Sequence, residues 1–320
     1  MIGSIFAGLA AVLIAAVMPA VLLSPVELSE EPKFLVIESV QPAQAEVKIS
    51  LQTGKSVKEL PLEEYLVGVV ISEMPMSFEP EALKAQAVAA RTFAMRQLEY
   101  GKHREFDLCG QSSCCQAWTG EDMLAQKLGK GWKTYWDKAS AAVESTKGQV
   151  LTYEGELIDA VYFSCSGGAT EDAVAVWGGE VPYLQSVKSP GEEQAGKFHS
   201  TKEFTREDFC RIILQARPLA DLSGRPESWF QSVEHTEGGG IAEMTIGGCV
   251  FKGTELRQLF GLNSTNFTVE EKDGRICFSV YGYGHRVGMS QYGANAMAQE
   301  GKTYKQILRH YYEGVEIEEK

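Results

Sequence analysis

Positive charge is scarce in this sequence. Its 30 Lys and Arg stand against 43 Asp and Glu, for a net charge of −13. That balance argues against binding nucleic acid through the overall field, which needs a basic face, although a local basic patch on a cleft stays compatible with it. Histidine numbers five, and no His-Glu-x-x-His pattern occurs, which leaves little for a zinc hydrolase. There is no internal repeat and no low-complexity tract, so no repeat array organises the chain. The first 26 residues carry no charged side chain at all. What the chain does have is 44% hydrophobic residues and five Trp over 320 residues, enough for a full-sized core of one or two domains.

A helix over Ile2 to Leu23 would be roughly 33 Å long at about 1.5 Å per residue, enough to cross a bilayer core of about 30 Å. The apolar run exceeds the usual signal-peptide core of about 7–15 residues, and no Lys or Arg precedes it. A retained anchor is therefore preferred over a cleaved signal peptide. The first basic residue is Lys33, so loop charge does not fix the orientation. Residues 1–26 are read as the anchor, the mixed acidic and Pro-containing 27–46 as a linker, and 47–320 as an extracytoplasmic domain.

VKISLQTGKSVKELPL predicts a β-hairpin turning at Thr53-Gly54. Leu62, Tyr65, Leu66, Val69 and Val70 then recur at helical spacing. At about 100° per residue these fall within about 80° of Leu62, and Glu73 lands near 20°. One carboxylate thus sits in the middle of an apolar stripe, at the helix end before Pro75. It is either a structural carboxylate, capping a loop or pairing with a core Arg, or a carboxyl kept protonated by partial desolvation, as a general acid requires.

A second helix starts at Pro80, a favoured first residue, with Glu81 in its first turn. Leu83, Ala87, Ala90, Ala94 and Leu98 form its apolar face. Lys84 and Arg91 lie on one line at the edge of that face, to hold an anionic or polyhydroxylated ligand or simply to be solvated. Directly after it, HREFDLCGQSSCCQAW places His103, Cys109, Cys114 and Cys115 within thirteen residues. The set suits a tetrahedral structural zinc site; disulfides or free thiols are the alternative in an exported chain. A bridge between the adjacent Cys114 and Cys115 would be strained. Cys165, Cys210, Cys249 and Cys277 are expected as small core residues.

YFSCSGG ends a strand-like stretch, where Ser166 beside glycines suits a loop whose backbone meets a ligand closely. The stretch 190–260 is less legible, with a helix expected at TREDFCRIILQ and a hairpin then a helix at IAEMTIGGCVFKGTELRQLFG. GYGHRVGMSQYGANAMA alternates aromatic residues and glycine as it leaves a strand. Tyr283 and His285 stand there, His285 as either a satisfied structural histidine or a cleft residue. Ser290, Gln291 and Tyr292 start a short helix, and Thr303 caps the last one.

EEYLVGVVISEMP, EALKAQAVAARTFA, YFSCSGG, GYGHRVGMSQYGANAMA and GKTYKQILRHYY, in that order over about residues 48–316, resemble the stage II sporulation protein D family, which is amidase-enhancer-like. The resemblance implies a lytic transglycosylase acting on peptidoglycan glycan strands, preferring strands stripped of stem peptides. It implies that Glu73 is the catalytic acid and base, and that Lys84 and Arg91 are the important cations. Ser166, Tyr283, His285, Ser290, Gln291 and Tyr292 are expected to contact the glycan. It also implies zinc on the loop after the second helix; here Cys114 stands where a second His is usual. A partner amidase and a membrane scaffold (stage II sporulation proteins P and M) and work at the engulfing membrane follow from the same resemblance. The rival reading is a non-catalytic wall-binding module that stimulates an amidase. The expected fold is α+β, mostly antiparallel hairpins interleaved with helices, in an elongated two-lobed body with a groove.

Overall fold

The computed structural model describes residues 46–320, which form one unit. The anchor at 1–26 and the linker as far as residue 45 lie outside the described residues. Among those described, no helix is long and apolar enough to cross a membrane.

The alternation around Gly54 folds as a hairpin. β1 (Lys48–Thr53) pairs antiparallel with β2 (Ser56–Pro61), Ile49 opposite Leu60. Gly54 turns the chain at φ +60, a conformation that costs glycine nothing. α1 (Leu62–Glu73) follows directly and buries Leu62, Tyr65, Leu66, Val69 and Val70, as their spacing predicts. Its last turn closes with Met74 N–H donating to Val70 O at 3.0 Å, and Pro75 has no N–H to continue. α2 (Pro80–Tyr100) begins on Pro80 and ends at Gly101, φ +59. Ala85, Ala87, Ala89, Ala90 and Ala94 are fully buried, so neighbouring elements approach α2 closely.

β3 (Leu108–Cys109) returns in parallel beside β1. After it come α3 (Glu121–Leu128), α4 (Trp132–Glu144), and the hairpin of β4 (Gln149–Tyr153) with β5 (Glu156–Leu157). The glycine-containing stretch forms four short pieces: β6 (Tyr162–Phe163), β7 (Gly168–Ala169), α5 (Ala173–Trp177) and β8 (Lys188–Ser189).

The stretch with the weakest periodic signal, together with the two strands that follow it, builds a second apolar core. β9 (His199–Thr205), α6 (Arg206–Ala216), β10 (Phe230–His235), β11 (Ile241–Ile246), β12 (Cys249–Lys252), α7 (Gly253–Phe260), β13 (Asn266–Lys272) and β14 (Arg275–Tyr281) make it. Two antiparallel sheets, β10-β11-β12 and β13-β14-β9, enclose Phe209, whose ring stacks on Phe260 at 5.1 Å and Trp229 at 5.9 Å. Cys165 is buried as expected, but Cys210, Cys249 and Cys277 are only half-buried: Cys210 and Cys249 pack against the second core from its margin, and Cys277 lies on the face of β14 opposite the buried Ile276 and Phe278.

The chain then returns to the first core. β15 (Met289–Ser290) lies parallel beside β6, and α8 (Gln291–Gln299) leads to α9 (Tyr304–Tyr311). Thr303 caps α9 in a capping box with Gln306. β16 (Glu316–Glu319) closes antiparallel on β4. α1, α4, α8 and α9 all pack on α2. The fold is α+β with mostly antiparallel strands, and the β1/β3 and β6/β15 pairs are its parallel exceptions.

Arg286 joins the Gly167-Gly168 loop to the 236–240 turn that lies between β10 and β11. It is fully buried, pairs with Glu171 at 2.8 Å, and donates to Ser166 O (2.6 Å) and Ala169 O (2.8 Å). The Thr236 hydroxyl and the Gly240 N–H donate to the same Glu171 carboxylate. Removing one partner of such a pair strands a buried charge, at a cost of about 3–5 kcal/mol.

Candidate active site

Glu73, the last residue of α1, lines a cavity of ≈ 330 Å³ with Tyr162, Ser164, Tyr283, His285 and Gln291. The two parallel strand pairings assemble it. β6/β15 brings Tyr162 beside the start of α8, and β1/β3 brings the cysteine loop against α1. Glu73 Oε1 accepts the Ala117 N–H at 2.7 Å, and the Gln291 side chain lines the same cavity. Burial pushes the Glu73 carboxyl above the ordinary carboxylate range; the Ala117 N–H and the nearby Gln291 amide pull the other way and only partly offset it. Within the lining of this cavity Glu73 is the one acidic side chain.

Beside α1, the cysteine loop gathers its donors. His103 Nε2 lies 3.2 Å from Cys115 Sγ and 3.7 Å from Cys114 Sγ. The ligand atoms of His103, Cys109, Cys114 and Cys115 all fall within 4.8 Å of one another. Zinc bonds of about 2.3 Å to sulfur and 2.0 Å to nitrogen separate tetrahedral ligands by about 3.5–3.8 Å, so the four residues fit zinc, with no position left for water. All four are close without any disulfide among them. The loop then feeds the cavity: Gln116, 1% exposed, accepts from Tyr65 Oη at 3.0 Å and donates to Tyr162 Oη at 2.8 Å, and Ala117 holds Glu73. In the sequence Gln116 carries no signal of its own, being a glutamine after a cysteine pair.

The remaining residues expected at the site divide into two groups. Tyr283, His285 and Gln291 line the cavity with Glu73. His285 packs against Phe163 (5.6 Å) and Trp177 (5.5 Å), and its Nδ1 accepts the Val287 N–H. Burial, with the nearby Arg257 charge, holds its imidazole down to about 4, so it is neutral at working pH.

Ser166 and Ser290 do not face the cavity; both are fully buried and donate to Glu192, which also takes the Ser166 and Gly167 N–H groups and the Ser189 hydroxyl. Tyr292 packs edge-on against Phe78 at 4.9 Å and does not line the cavity. Arg91 is a correction: it is fully buried and bidentate on Glu63 (2.8 and 2.6 Å), with further bonds to Val143 O and Gln149 O. Lys84 pairs with Glu81 at 2.7 Å and does not line the cavity. Both cations share a line of α2, as their spacing predicts, but their partners lie on α1, the α4–β4 turn and α2 itself rather than at Glu73.

A second cavity of ≈ 590 Å³ opens where Ser72 and Met74 leave α1, lined also by Gln111, Trp118, Lys127 and Tyr135. It shares Ser112 with the first cavity.

A family model described as SpoIID, Stage II sporulation protein, matches residues 51–153, the segment holding Glu73 and the cysteine loop. Stage II sporulation protein D of Bacillus amyloliquefaciens is 40% identical over 276 residues, covering 85% of this chain and 78% of the relative. The chain belongs to the stage II sporulation protein D family. Family identity extends well past the matched segment. The Bacillus subtilis protein of the same name is 38% identical over 295 residues, 91% of this chain and 84% of its own. The amidase enhancer of Bacillus subtilis is 31% identical over 303 residues, 79% of this chain and 40% of its own.

Proposed function

We propose that this sporulation-family chain is a lytic transglycosylase that cleaves peptidoglycan glycan strands between N-acetylmuramic acid and N-acetylglucosamine. The observation that carries the reading is Glu73: a carboxyl pushed toward its protonated form, held by a backbone N–H, alone in its cavity. A hydrolytic glycosidase needs a second carboxylate about 5–9.5 Å away to activate water or attack the sugar. With one carboxyl, the sugar's own C6 hydroxyl serves as nucleophile. Glu73 gives its proton to the bridging oxygen, which leaves on the N-acetylglucosamine. The C6 oxygen then bonds to C1 as its proton passes to the Glu73 carboxylate, so the acid is restored and a 1,6-anhydro end results. The Ala117 N–H stabilises the carboxylate between the two transfers.

The strand runs past Glu73 from the Tyr283 and His285 side to the Trp118 and Tyr135 side, where aromatic faces suit sugar rings. His103, Cys109, Cys114 and Cys115 hold a zinc ion whose role is to fix the loop that carries Ala117. In this reading the apolar segment 1–26 anchors the chain, the rest lies outside the cytoplasm on the cell-wall side of the engulfing membrane, and an amidase and a membrane scaffold protein are its partners. The amidase would supply the peptide-free strands.

A second reading, a wall-binding stimulator of an amidase, draws on the likeness to the amidase enhancer. The deciding experiment incubates the full-length protein with peptide-free glycan strands in water enriched in oxygen-18. Anhydro ends without label support the transglycosylase. Labelled reducing ends mean that water attacks. Intact strands that sediment with the protein favour the stimulator.

A further inference from the structure

We propose that Tyr162 donates its phenol proton to the acetamido carbonyl of the muramic acid whose C1 is attacked, and so reads the N-acetyl group of the strand. The inference rests on the Glu73 cavity being the glycan-cleaving site, and it assigns that cavity a second working group.

Tyr162 stands on β6, is half-buried and lines the cavity with Glu73. Consecutive loop residues hold the two groups. The Ala117 N–H donates to Glu73 Oε1 at 2.7 Å, and the Gln116 side chain donates to Tyr162 Oη at 2.8 Å. A phenol both accepts a hydrogen bond and has one proton to donate. Tyr162 accepts from Gln116, and no atom of the described residues accepts its own proton. Burial, with the Glu73 charge, holds the phenol above its ordinary range, so the proton stays on Tyr162. The cavity therefore holds a neutral donor that the protein itself leaves unbonded.

The direction of the Gln116 amide is fixed from behind. Tyr65 is fully buried on α1, and among the described residues its hydroxyl bonds only to Gln116 Oε1, at 3.0 Å. Turned over, the amide would set its nitrogen against Tyr65 and its oxygen against Tyr162. The Tyr65 proton would then be stranded in the core. A buried donor without an acceptor costs far more than one facing a cavity that water or a ligand fills, so the amide stays as it is.

The reaction limits what can take the Tyr162 proton. Four oxygens sit on or near the reacting C1. The bridging oxygen receives the Glu73 proton. The C6 oxygen must lose its own proton, and the ring oxygen loses electron density as the oxocarbenium ion develops, so a donor on either would slow the step. The carbonyl oxygen of the 2-acetamido group is the fourth, and a neutral donor suits it. A de-N-acetylated sugar has an amine there and no carbonyl, so this bond separates the two kinds of strand.

The test measures binding in the full-length protein carrying Glu73→Gln, so that strands stay whole. Peptide-free strands are compared N-acetylated, with carbon-13 in the acetamido carbonyls, and after chemical removal of the acetyl groups. Adding Tyr162→Phe is expected to weaken binding of the N-acetylated strand roughly tenfold and of the de-N-acetylated strand by less than about twofold. In the Glu73→Gln parent one carbonyl signal moves on binding, and with Tyr162→Phe that displacement is lost.

Equal weakening on both strands overturns the proposal, as does no weakening on either, or a carbonyl signal that moves alike in both proteins. Where the parent binds only the N-acetylated strand, the carbonyl signal decides by the same rule. A parent that binds neither strand sinks the glycan reading and this inference with it, whereas a parent that binds and is indifferent to Tyr162 sinks this inference alone. If Tyr162→Phe does not fold, the parent decides. A carbonyl signal that moves on binding and shows a through-space contact with the Tyr162 ring supports the proposal, and an unmoved one overturns it.

Discussion

The backbone N–H of Ala117 donates to Glu73 at 2.7 Å, two residues after Cys115, whose sulfur lies 3.2 Å from His103 Nε2. The cysteine loop and the carboxyl at the end of α1 are thus one device. Whatever orders the loop also aims the donor that Glu73 needs once it has lost its proton.

In this account zinc removal should lower activity through geometry. The protein as isolated should carry one zinc per chain by atomic absorption. Cys115→Ser should lower strand cleavage by about 10–100-fold, the range seen when support around a site is lost, and should lower the Tm as well. A metal-free preparation with full activity and an unchanged Tm would show that the four donors close the loop without an ion.

Arg91 should behave as a core residue. Arg91→Met strips Glu63 of its bidentate partner and removes a donor from Gln149 O, while Val143 O keeps the Thr146 N–H. The expected loss is about 3 kcal/mol of stability in urea unfolding, at the lower end for a broken buried pair because Glu63 keeps some contact with water. KM for glycan should stay within about twofold. A raised KM with unchanged stability would return Arg91 to the ligand.

His285 makes stability depend on acid. Its folded value is held down to about 4, against about 6.5 in the unfolded chain. Between these two values the unfolded chain binds the proton first. Stability is therefore lost as pH falls from about 6.5 toward 4, by at most about 1.4 kcal/mol per pH unit and by less where the ring keeps solvent contact. Urea midpoints across that window should flatten in His285→Gln. An unchanged slope would place the acid sensitivity elsewhere.

Local patterns were legible in the sequence and long-range pairings were not. The hairpin at Gly54, the stop at Pro75, the start at Pro80 and the cap at Thr303 are each set by two to four neighbouring residues, and each formed where expected. Glu73 was legible because its carboxylate interrupts an apolar stripe.

Arg91 was misread because its partner, Glu63, lies 28 residues earlier and its other acceptors are backbone carbonyls that no sequence pattern marks. Ser166 and Ser290 sit in the expected motifs but turn toward Glu192, an acid in an unpatterned loop that collects donors from three segments. The second core was obscure for a related reason. Its strands are short, and the order β13-β14-β9 pairs segments separated by more than sixty residues.

The central claim is that one carboxyl performs both proton transfers. Its most direct test is Glu73→Gln in the full-length protein, with folding confirmed by an unchanged unfolding midpoint. Gln preserves the shape and can still accept the Ala117 N–H, but it has no proton to give. The account predicts that peptide-free strands incubated with the variant stay intact, while wild type releases fragments ending in 1,6-anhydro-N-acetylmuramic acid. Cleavage by a folded Glu73→Gln protein at a rate near that of wild type would contradict it.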